Sequence, residues 1–187
     1  MKYDAADENI KFNVNEEQKL FEEMVACWDL CFEYNNIKPS MMKERFLLMK
    51  KILGKTTDNF LINSPFHCSR GSTIEIGENA CFNNNCIIMD FAAVTFGDYV
   101  WVGPNCGFYT SGHSVDPLER SQGVGYAHPI TVGNNVWFGG NVVVATTEKK
   151  GITIGDNAVI AAGSVVVSDI PANALAAGNP AKVIRTL

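Results

Sequence analysis

The sequence predicts a mainly β solenoid preceded by a helical hairpin, on three observations. Apolar residues recur every six positions from residue 74 onwards, a period that neither a helix nor an alternating strand sustains. Sixteen glycines and a charged fraction of 19% indicate many turns and little charged surface. The segment before residue 60 instead carries the three-to-four spacing of amphipathic helices. A chain of 187 residues is long enough to bury a sizeable core.

Composition and charge argue against several classes of function. Fifteen basic and 20 acidic residues give a net charge of −5, which argues against a broad nucleic-acid-binding face. No apolar run approaches the roughly 18 residues of a membrane span. The first ten residues are acidic and polar, unlike a secretory signal, so we expect a cytoplasmic protein in a reducing compartment.

The six cysteines predict buried small side chains and no metal site. They contain no CxxC pair, and only three histidines accompany them, so a zinc site lacks ligands at close spacing. In a reducing compartment, free cysteines behave as small hydrophobic residues. These cysteines are Cys27, Cys31, Cys68, Cys81, Cys86 and Cys106.

Residues 1–60 are predicted to form the helical hairpin. Residues 16–34 carry apolar side chains at spacings of three, four and one, and Lys38-Pro39-Ser40 interrupts the pattern. Ser40 is a suitable N-cap for a second helix, and Gly54 is a suitable C-terminal stop. The hairpin either packs against the rest of the chain or covers a substrate site, and the spacing alone does not decide between these.

Residues 61–187 are predicted to form the solenoid. Two six-residue registers, offset by two positions, place an aliphatic or aromatic residue inward in each repeat, for example Ile88 and Phe96. Polar pairs that contain Asn follow a repeat glycine and suit tight turns. These pairs are Glu78-Asn79, Asn134-Asn135 and Asp156-Asn157. Stacked coils of this kind bury one continuous apolar column and pair their backbones about 4.8 Å apart.

Three segments leave the six-residue pattern. Residues 109–129 are polar, contain Gly and Pro, and hold two of the three histidines, so they predict a functional loop on a rigid scaffold. A second, charged excursion, ATTEKK, follows Val144. Residues 169–187 are predicted to leave the repeat as a C-terminal tail, with Pro171 and Pro180 in it and basic residues near its end.

The motifs resemble the maltose/galactoside O-acetyltransferase family over residues 12–185. The resemblance rests on the loop TSGH, the block PITVGNNVWFGGNVVV, the tail AAGNPAKVIR, the repeats and the helical hairpin. It implies a left-handed parallel β-helix and a homotrimer with active sites between neighbouring subunits. It also implies acetyl-CoA as the donor and a sugar or similar small hydroxyl compound as the acceptor, with no metal required.

The resemblance assigns roles to individual residues. His113 matches the general base, a role that suits histidine because its pKa lies near neutrality. Asn83 matches the residue that holds the acceptor and stabilises the transition state, and Trp137 matches the wall of the pocket. The remaining acceptor-side positions are Asn15, Ser69 and Phe91. The remaining coenzyme-side positions are Gly140, Ala162, Val167, Ser168, Lys182 and Arg185.

Four departures from the family pattern bear on activity. Asn15 and Phe91 stand where galactoside members carry acids, and Val167-Ser168 replaces a Thr-Lys pair. The acid that usually precedes Tyr126 and orients the histidine is absent, so Asp116 or a backbone carbonyl is the candidate substitute. The segment ATTEKKG replaces a shorter link.

The alternatives come from other functional classes. A non-catalytic hexapeptide trimer that binds a ligand is favoured by the missing acid. An acetyltransferase for amines or antibiotics is less favoured, because such proteins usually carry a longer loop and lack the hairpin. A zinc carbonic anhydrase is least favoured, because three suitably placed histidines are not present.

Overall fold

The helical hairpin precedes the β region in a computed structural model that describes residues 10–13 and 17–187. Helix α1 spans Gln18–Asn36, and helix α2 spans Met42–Ile52. The two helices contact each other, and α1 packs on the first strand of one β sheet. The buried side chains of α1 are Leu20, Cys27, Cys31 and Tyr34. The predicted start at residue 16 falls outside the described residues.

At the second helix, the predicted N-cap is wrong, and the predicted stop at Gly54 is confirmed in position. Ser40 lies in an exposed turn, and α2 begins after Met41, which offers no side-chain cap. Gly54 does not end the helix through a left-handed conformation, because the residue after the last turn, Leu53, is already extended. Gly54 serves close packing, since a Cβ there would lie 2.1 Å from the carbonyl oxygen of Ser72.

The β region is a parallel β-helix with three faces, which confirms the predicted fold class. Face 1 contains β2 (Lys55–Thr56), β5 (Ile74–Ile76), β8 (Val94–Phe96), β13 (Ile130–Val132) and β16 (Ile152–Ile154). Face 2 contains β3 (Phe60–Ile62), β6 (Ala80–Phe82), β9 (Trp101–Val102), β14 (Trp137–Phe138), β17 (Val159–Ile160), β19 (Ala174–Gly178) and β20 (Ala181–Thr186). Face 3 contains β4 (Phe66–Cys68), β7 (Cys86–Met89), β10 (Gly107–Tyr109), β15 (Val143–Ala145) and β18 (Val165–Val166). The first strand of the β-helix, β2, lies before residue 61, where the sequence predicts that the solenoid begins.

The six-residue pattern forms the core of this helix. The inward residues of both registers are buried, and four phenylalanines form an edge-to-face column through the core. Their ring centroids are separated by 4.9, 5.0 and 5.3 Å. These rings belong to Phe82, Phe96, Phe108 and Phe138. Five of the six cysteines are buried as predicted, and Cys81 is partly exposed.

Two of the corners between faces repeat the same tight turn. At the first corner, between faces 1 and 2, the second residue of each predicted polar pair has a positive φ: 56° at Asn79, 55° at Asn135 and 60° at Asn157. At the second corner, between faces 2 and 3, a positive φ is found at Asn85, Asn105, Asn141 and Gly163. Asparagine tolerates this left-handed conformation better than other side chains that carry a Cβ, so the predicted turn chemistry is confirmed.

The predicted loop at residues 109–129 leaves the helix between faces 3 and 1 and is itself ordered. It contains β11 (Ser111–His113), the short helix α3 (Pro117–Ser121) and β12 (Val124–Ala127). These two strands pair antiparallel, and β1 (Ile10–Asn13) joins β12 on its other side. The N-terminal segment therefore braces the loop.

The predicted departure of the tail from the repeat at residue 169 is wrong. Ile170 still bridges to Ile154 on face 1, and β19 pairs in parallel with β17 on face 2. The chain leaves the repeat only where β20 turns back antiparallel along β19. The prolines mislead here because Pro171 lies in a corner between strands, where no ladder hydrogen bond is needed.

The outer surfaces of the faces differ in polarity. Face 1 presents Glu75, Thr95, Thr131 and Thr153 in one row. Face 2 presents Leu61, Cys81, Trp101, Trp137, Val159 and Leu175 in one row. Face 3 presents mainly aliphatic side chains, among them Ile87, Met89, Val143 and Val165. Within the described part of the chain, neither long helix is apolar enough to cross a membrane.

Candidate active site

The second corner carries several of the residues that the resemblance selects. Four successive coils cross it as tripeptides, stacked by the parallel pairing of the strands on either side. The tripeptides are residues 83–85, 103–105, 139–141 and 161–163. The same backbone turn is therefore repeated four times, with different side chains at its first and middle positions.

Two backbone N–H groups at the second corner have no hydrogen-bond acceptor within residues 10–13 and 17–187. They belong to Gly140 and Ala162, the middle residues of two successive tripeptides. At the equivalent positions, Asn84 donates its N–H to Oδ1 of Asn83 at 2.8 Å, and Pro104 has no N–H. Because neighbouring coils are about 4.8 Å apart, the two donors form a short row that a ligand's carbonyl oxygens can reach.

The small side chains at this corner bring the backbone to the surface. A Cβ on Gly139 would lie 2.5 Å from the nitrogen of Ala162, and a Cβ on Gly103 would lie 2.6 Å from the nitrogen of Gly140. A Cβ on Gly140 would come no closer than 3.4 Å to Pro104. Packing therefore requires Gly at the first position of these two coils, which is occupied by Gly103 and Gly139, whereas Gly140 leaves space beside its own N–H.

Trp137 stands next to this corner on the outer row of face 2. Its side chain is 58% exposed, and its register neighbour on the preceding coil, Trp101, is 59% exposed. Two exposed indole rings on adjacent strands form a flat apolar wall. The wall borders the corner that carries the unpaired N–H of Gly140, three residues further along the chain.

Asn83 is exposed at the same corner, two coils before Gly140. Its Oδ1 accepts the N–H of Asn84, which holds the side chain in place. Its Nδ2 makes no hydrogen bond to any residue that the structure describes. The amide therefore presents a fixed donor to solvent.

His113 lies on the protruding β11, opposite Gly125 of β12. Its side chain is exposed, and no hydrogen bond joins either ring nitrogen to another described residue. The expected partner Asp116 is used elsewhere, because its carboxylate accepts the N–H groups of Leu118 and Glu119 at 2.7 and 3.1 Å as the N-cap of α3.

The charged segment ATTEKK connects the protruding loop to the β-helix through hydrogen bonds. Oε1 of Glu148 lies 3.2 Å from the hydroxyl of Ser114, and the Glu148 carbonyl oxygen lies 3.1 Å from Nε2 of His128. Ser114 and His128 are both buried. Glu148 was not among the residues selected from the sequence. The one hint there is its position as a carboxylate in the charged segment ATTEKK. Its contact is with the neighbour of His113 and not with the imidazole.

The residues predicted to lie on the acceptor side have different surroundings. Ser69 is buried, and its N–H donates to Oδ1 of Asp90 at 2.8 Å. Burial raises the pKa of Asp90, and hydrogen bonds from Arg70 and Thr73 oppose that rise. Phe91 is 9% exposed and stacks on Phe12 with 5.4 Å between ring centroids, so its ring anchors β1. Asn15 falls outside the described residues.

The residues predicted to contact the coenzyme near the C-terminus lie at the C-terminal end of faces 2 and 3. Lys182 and Arg185 are on β20, opposite Ala177 and Leu175, and both are exposed. Neither forms an ion pair with a carboxylate in the described ranges, so both charges are available to a phosphate. Val167 and Ser168 directly follow β18, and Val167 is 37% exposed.

One chain brings together only part of the selected set. Asn83, Trp137, Gly140 and Ala162 lie along the second corner and face 2. His113 is carried by the loop that leaves between faces 3 and 1. The width of face 3 therefore separates the imidazole from the second corner within a single chain.

Comparison with known proteins identifies the family. The model for the hexapeptide repeat of succinyl-transferase matches residues 129–168. The galactoside O-acetyltransferase of Escherichia coli (strain K12) is 43% identical over 158 residues, which are 84% of this chain and 76% of that protein. A maltose O-acetyltransferase from Clostridium difficile 630 superposes with a TM-score of 0.89 at 34% identity, covering 98% of this chain and 99% of that one.

A third similar protein was solved with a ligand. This hexapeptide-repeat-containing acetyltransferase from Vibrio cholerae O1 biovar eltor is complexed with acetyl coenzyme A. It superposes with a TM-score of 0.85 at 34% identity, covering 92% of this chain and 91% of that one. Identity, coverage and fold agree across these relatives, and the chain belongs to the maltose/galactoside O-acetyltransferase family of hexapeptide-repeat proteins.

Proposed function

We propose that the protein transfers an acetyl group from acetyl-CoA to a hydroxyl group of a sugar or similar small acceptor. The observation that carries the proposal is the pair of unpaired N–H groups of Gly140 and Ala162 on an accessible corner. Acetyl-CoA contains a thioester and two amides along one arm, so it offers carbonyl oxygens to donors in a row. The relative solved with acetyl coenzyme A supports this choice of donor.

In this proposal, the second corner binds the coenzyme arm. The N–H of Gly140 donates to the thioester oxygen, and the N–H of Ala162 donates to an amide of the pantetheine arm. Trp137 supplies the apolar wall. Lys182 and Arg185 attract the phosphates of the nucleotide end, beside Val167 and Ser168, since exposed cations without a carboxylate partner are free to do so.

The reaction needs a base and a donor for developing negative charge. His113 accepts the proton of the acceptor hydroxyl as its oxygen attacks the thioester carbonyl carbon. The carbonyl oxygen becomes an oxyanion, which the N–H of Gly140 and the side-chain amide of Asn83 stabilise. The carbon–sulfur bond then breaks, and the proton on His113 passes to the leaving thiolate, which gives the acetyl ester and free coenzyme A. Asn15, Ser69 and Phe91 lie on the acceptor side.

The site is completed by a second copy of the chain. His113 and Asn83 belong to different corners of one β-helix, so a neighbouring subunit must bring one to the other. Face 3, between those corners, exposes aliphatic side chains that a partner can cover, and α1 exposes Phe21, Val25, Trp28 and Phe32 along one side. A closed ring of three copies, the homotrimer, repeats this junction three times.

The activity is tested by thiol release from acetyl-CoA against a panel of galactosides, glucosides and maltose. The wild type is expected to release coenzyme A in the presence of at least one sugar. His113→Ala is expected to lower kcat by about 10²- to 10⁴-fold, the usual contribution of a general base. Circular dichroism and Tm verify that the variant is folded. Unchanged thiol release in folded His113→Ala excludes this residue as the base.

The shared site is tested by mixing two inactive variants. His113→Ala and Asn83→Ala are unfolded and refolded together, so that trimers contain both chains. A site that pairs the two residues across subunits regains about a quarter of the wild-type activity at equal proportions, because one junction in four receives both intact residues. A site built within one chain regains none.

A second function is favoured by one observation. Neither ring nitrogen of His113 is held by a described residue, and the acid that usually orients it is missing. A trimer that binds coenzyme A without turnover fits that arrangement. Calorimetry separates the two functions, because tight coenzyme A binding with no thiol release for any acceptor supports the binding protein.

A further inference from the structure

Three cysteine thiols meet beneath the helical hairpin, away from the second corner. Cys27 and Cys31 are one turn apart on α1, and Cys68 is on β4 of face 3. The Sγ atom of Cys68 lies 3.4 Å from that of Cys27 and 3.7 Å from that of Cys31. All three Sγ atoms lie within 4.8 Å of one another, and the residues are 4%, 1% and 4% exposed.

This cluster differs from the other buried cysteines of the chain. Cys86 points its thiol at the Asn83 carbonyl oxygen at 3.1 Å, and Cys106 points at that of Gly139 at 3.2 Å. Those contacts are ordinary for a buried thiol, which is a weak hydrogen-bond donor. In the cluster, the Cys27 thiol has only a long contact of 4.0 Å with the Cys68 carbonyl oxygen, and the three sulfur atoms lie against one another between α1 and β4.

We propose that Cys27, Cys31 and Cys68 form a binding site for a soft metal ion, monovalent copper, held by three thiolates. A metal–sulfur bond of about 2.3 Å places sulfur ligands about 3.8–4.0 Å apart in tetrahedral or trigonal geometry. The observed separations of 3.4 and 3.7 Å reach that range with small adjustments of the side chains. Binding exchanges three S–H bonds for three Cu–S bonds and releases three protons to solvent.

The donor set selects the ion. Thiolates favour Cu(I) and Zn²⁺ over Mg²⁺, Ca²⁺ and Mn²⁺, which prefer oxygen ligands. Structural zinc sites almost always have four protein ligands. No carboxylate or imidazole in residues 10–13 and 17–187 joins this group as a fourth ligand. A dry site with three sulfur donors therefore suits Cu(I).

A bound ion would tie the hairpin to the β-helix. Two ligands lie on α1, and the third lies on β4 in the first coil, so the metal links elements far apart in sequence. Anything that binds only the folded state stabilises it. The spacing of the cysteines in the sequence predicts no metal site, because Cys68 is distant from Cys27 and Cys31 in the chain and approaches them only in the folded protein.

The test uses the whole protein, freshly reduced and kept under nitrogen. Cu(I) is supplied from a coloured Cu(I) chelator, and its transfer is read from loss of the chelator's absorbance and from the mass of the native protein. The wild type is expected to take up about one ion per chain and to unfold at a higher temperature with it. Cys68→Ser is expected to lose both effects.

Two further variants keep the test decisive. Cys31→Ala changes the helix without disturbing a core strand, and it is expected to lose copper uptake while retaining its helical content. Cys81→Ser removes the most exposed thiol and is expected to retain uptake. Equal copper uptake by the wild type and by both Cys68→Ser and Cys31→Ala overturns the proposal. Preference for Zn²⁺ in direct competition, or fewer than six titratable thiols in the denatured, unreduced protein, also overturns it.

Discussion

The first and second corners of the β-helix contain the same backbone turn but differ in the hydrogen bonds that its N–H groups make. Both place a residue with positive φ at one position of each turn. At the first corner, side chains from the next coil accept the middle N–H groups of the earlier turns: Oδ1 of Asp156 accepts that of Asn134 at 2.6 Å, and Oδ1 of Asn134 accepts that of Asp98 at 2.8 Å. In the last two turns of that corner, the N–H groups of Asp156 and Ala172 have no acceptor among the described residues. At the second corner, Gly140 and Ala162 have no such partner.

The difference lies in side chains and not in the fold. Carboxylate and amide groups accept the N–H groups in the earlier turns of the first corner, and its asparagine side chains form hydrogen bonds along the column, with 2.9 Å between Asn157 and each neighbour, Asn135 and Asn173. Proline, glycine and alanine at the middle position leave the second corner open. A repeated backbone turn can thus be closed by side chains in the earlier turns of one edge and left open along another.

Among variants of the two corners, the largest effect on kcat is expected from Asn83→Ala at the second corner. Loss of its amide removes a donor aimed at the developing oxyanion, and we expect kcat to fall by about 10²- to 10³-fold. The Tm should fall only slightly, through the lost hydrogen bond to the Asn84 N–H. Asn84→Ala is the matched control, because the Asn84 side chain donates to the Ser64 carbonyl oxygen instead. Equal losses of kcat in both variants would contradict the assignment.

A smaller kinetic effect is expected from Ala162→Pro. Proline removes the N–H, and Pro104 at the equivalent position of another coil indicates that the turn accepts proline. Loss of one hydrogen bond is expected to raise the KM for acetyl-CoA by about 2- to 10-fold. Pro104→Ala, the reverse change, should leave this KM unaltered. An unchanged KM in Ala162→Pro would argue that the coenzyme does not use this donor.

At the first corner, Asp156→Ala is expected to change stability and not catalysis. The carboxylate accepts the Asn134 N–H, and its removal should cost about 1 kcal/mol in the free energy of unfolding. Denaturant unfolding measures this loss, and steady-state kinetics should give unchanged kcat and KM. A rise in the KM for acetyl-CoA here would show that the first corner also takes part in binding.

The smallest expected effect is a change in the pH dependence of Tm, and it comes from Asp169, which lies between faces 3 and 1. Hydrogen bonds from Lys150 and from the Thr153 N–H hold the pKa of Asp169 below its usual range. A lowered pKa in the folded state stabilises the protein above the unfolded-state value, and that contribution disappears as the pH falls through the folded-state value. Between about pH 6 and pH 3, the Tm of the wild type should therefore fall slightly more than that of Asp169→Asn. Parallel curves would show that this contact adds no stability.

Much of the fold could be predicted from the sequence because its period is local. The spacing of Phe82, Phe96 and Phe138 and the asparagines after Gly133 and Gly155 each report one turn of chain. Predictions that depended on tertiary context were less successful. Ser40 has the chemistry of a cap but stands before the residue where packing starts α2, and Pro171 does not end the repeat because it occupies a corner.

The candidate site likewise contains residues that could be selected from the sequence and features that depend on tertiary structure. His113, Asn83 and Trp137 were selected by a family resemblance, and periodicity alone would have left them as surface residues. The unpaired N–H groups of Gly140 and Ala162 depend on which coil stacks on which, and the segments between coils differ in length. For the same reason, the approach of Cys68 to the helix and of Glu148 to Ser114 became visible only in three dimensions.

Amide hydrogen exchange at single-residue resolution, with and without acetyl-CoA and in the absence of acceptor, tests the contrast between the corners most directly. If the second corner binds the coenzyme arm, exchange at Gly140 and Ala162 slows by about tenfold or more, as expected for newly formed hydrogen bonds. Exchange at Asp98 and Asn134 on the first corner stays unchanged. Unchanged exchange at Gly140 and Ala162 with saturating acetyl-CoA, or equal slowing at both corners, would contradict the account.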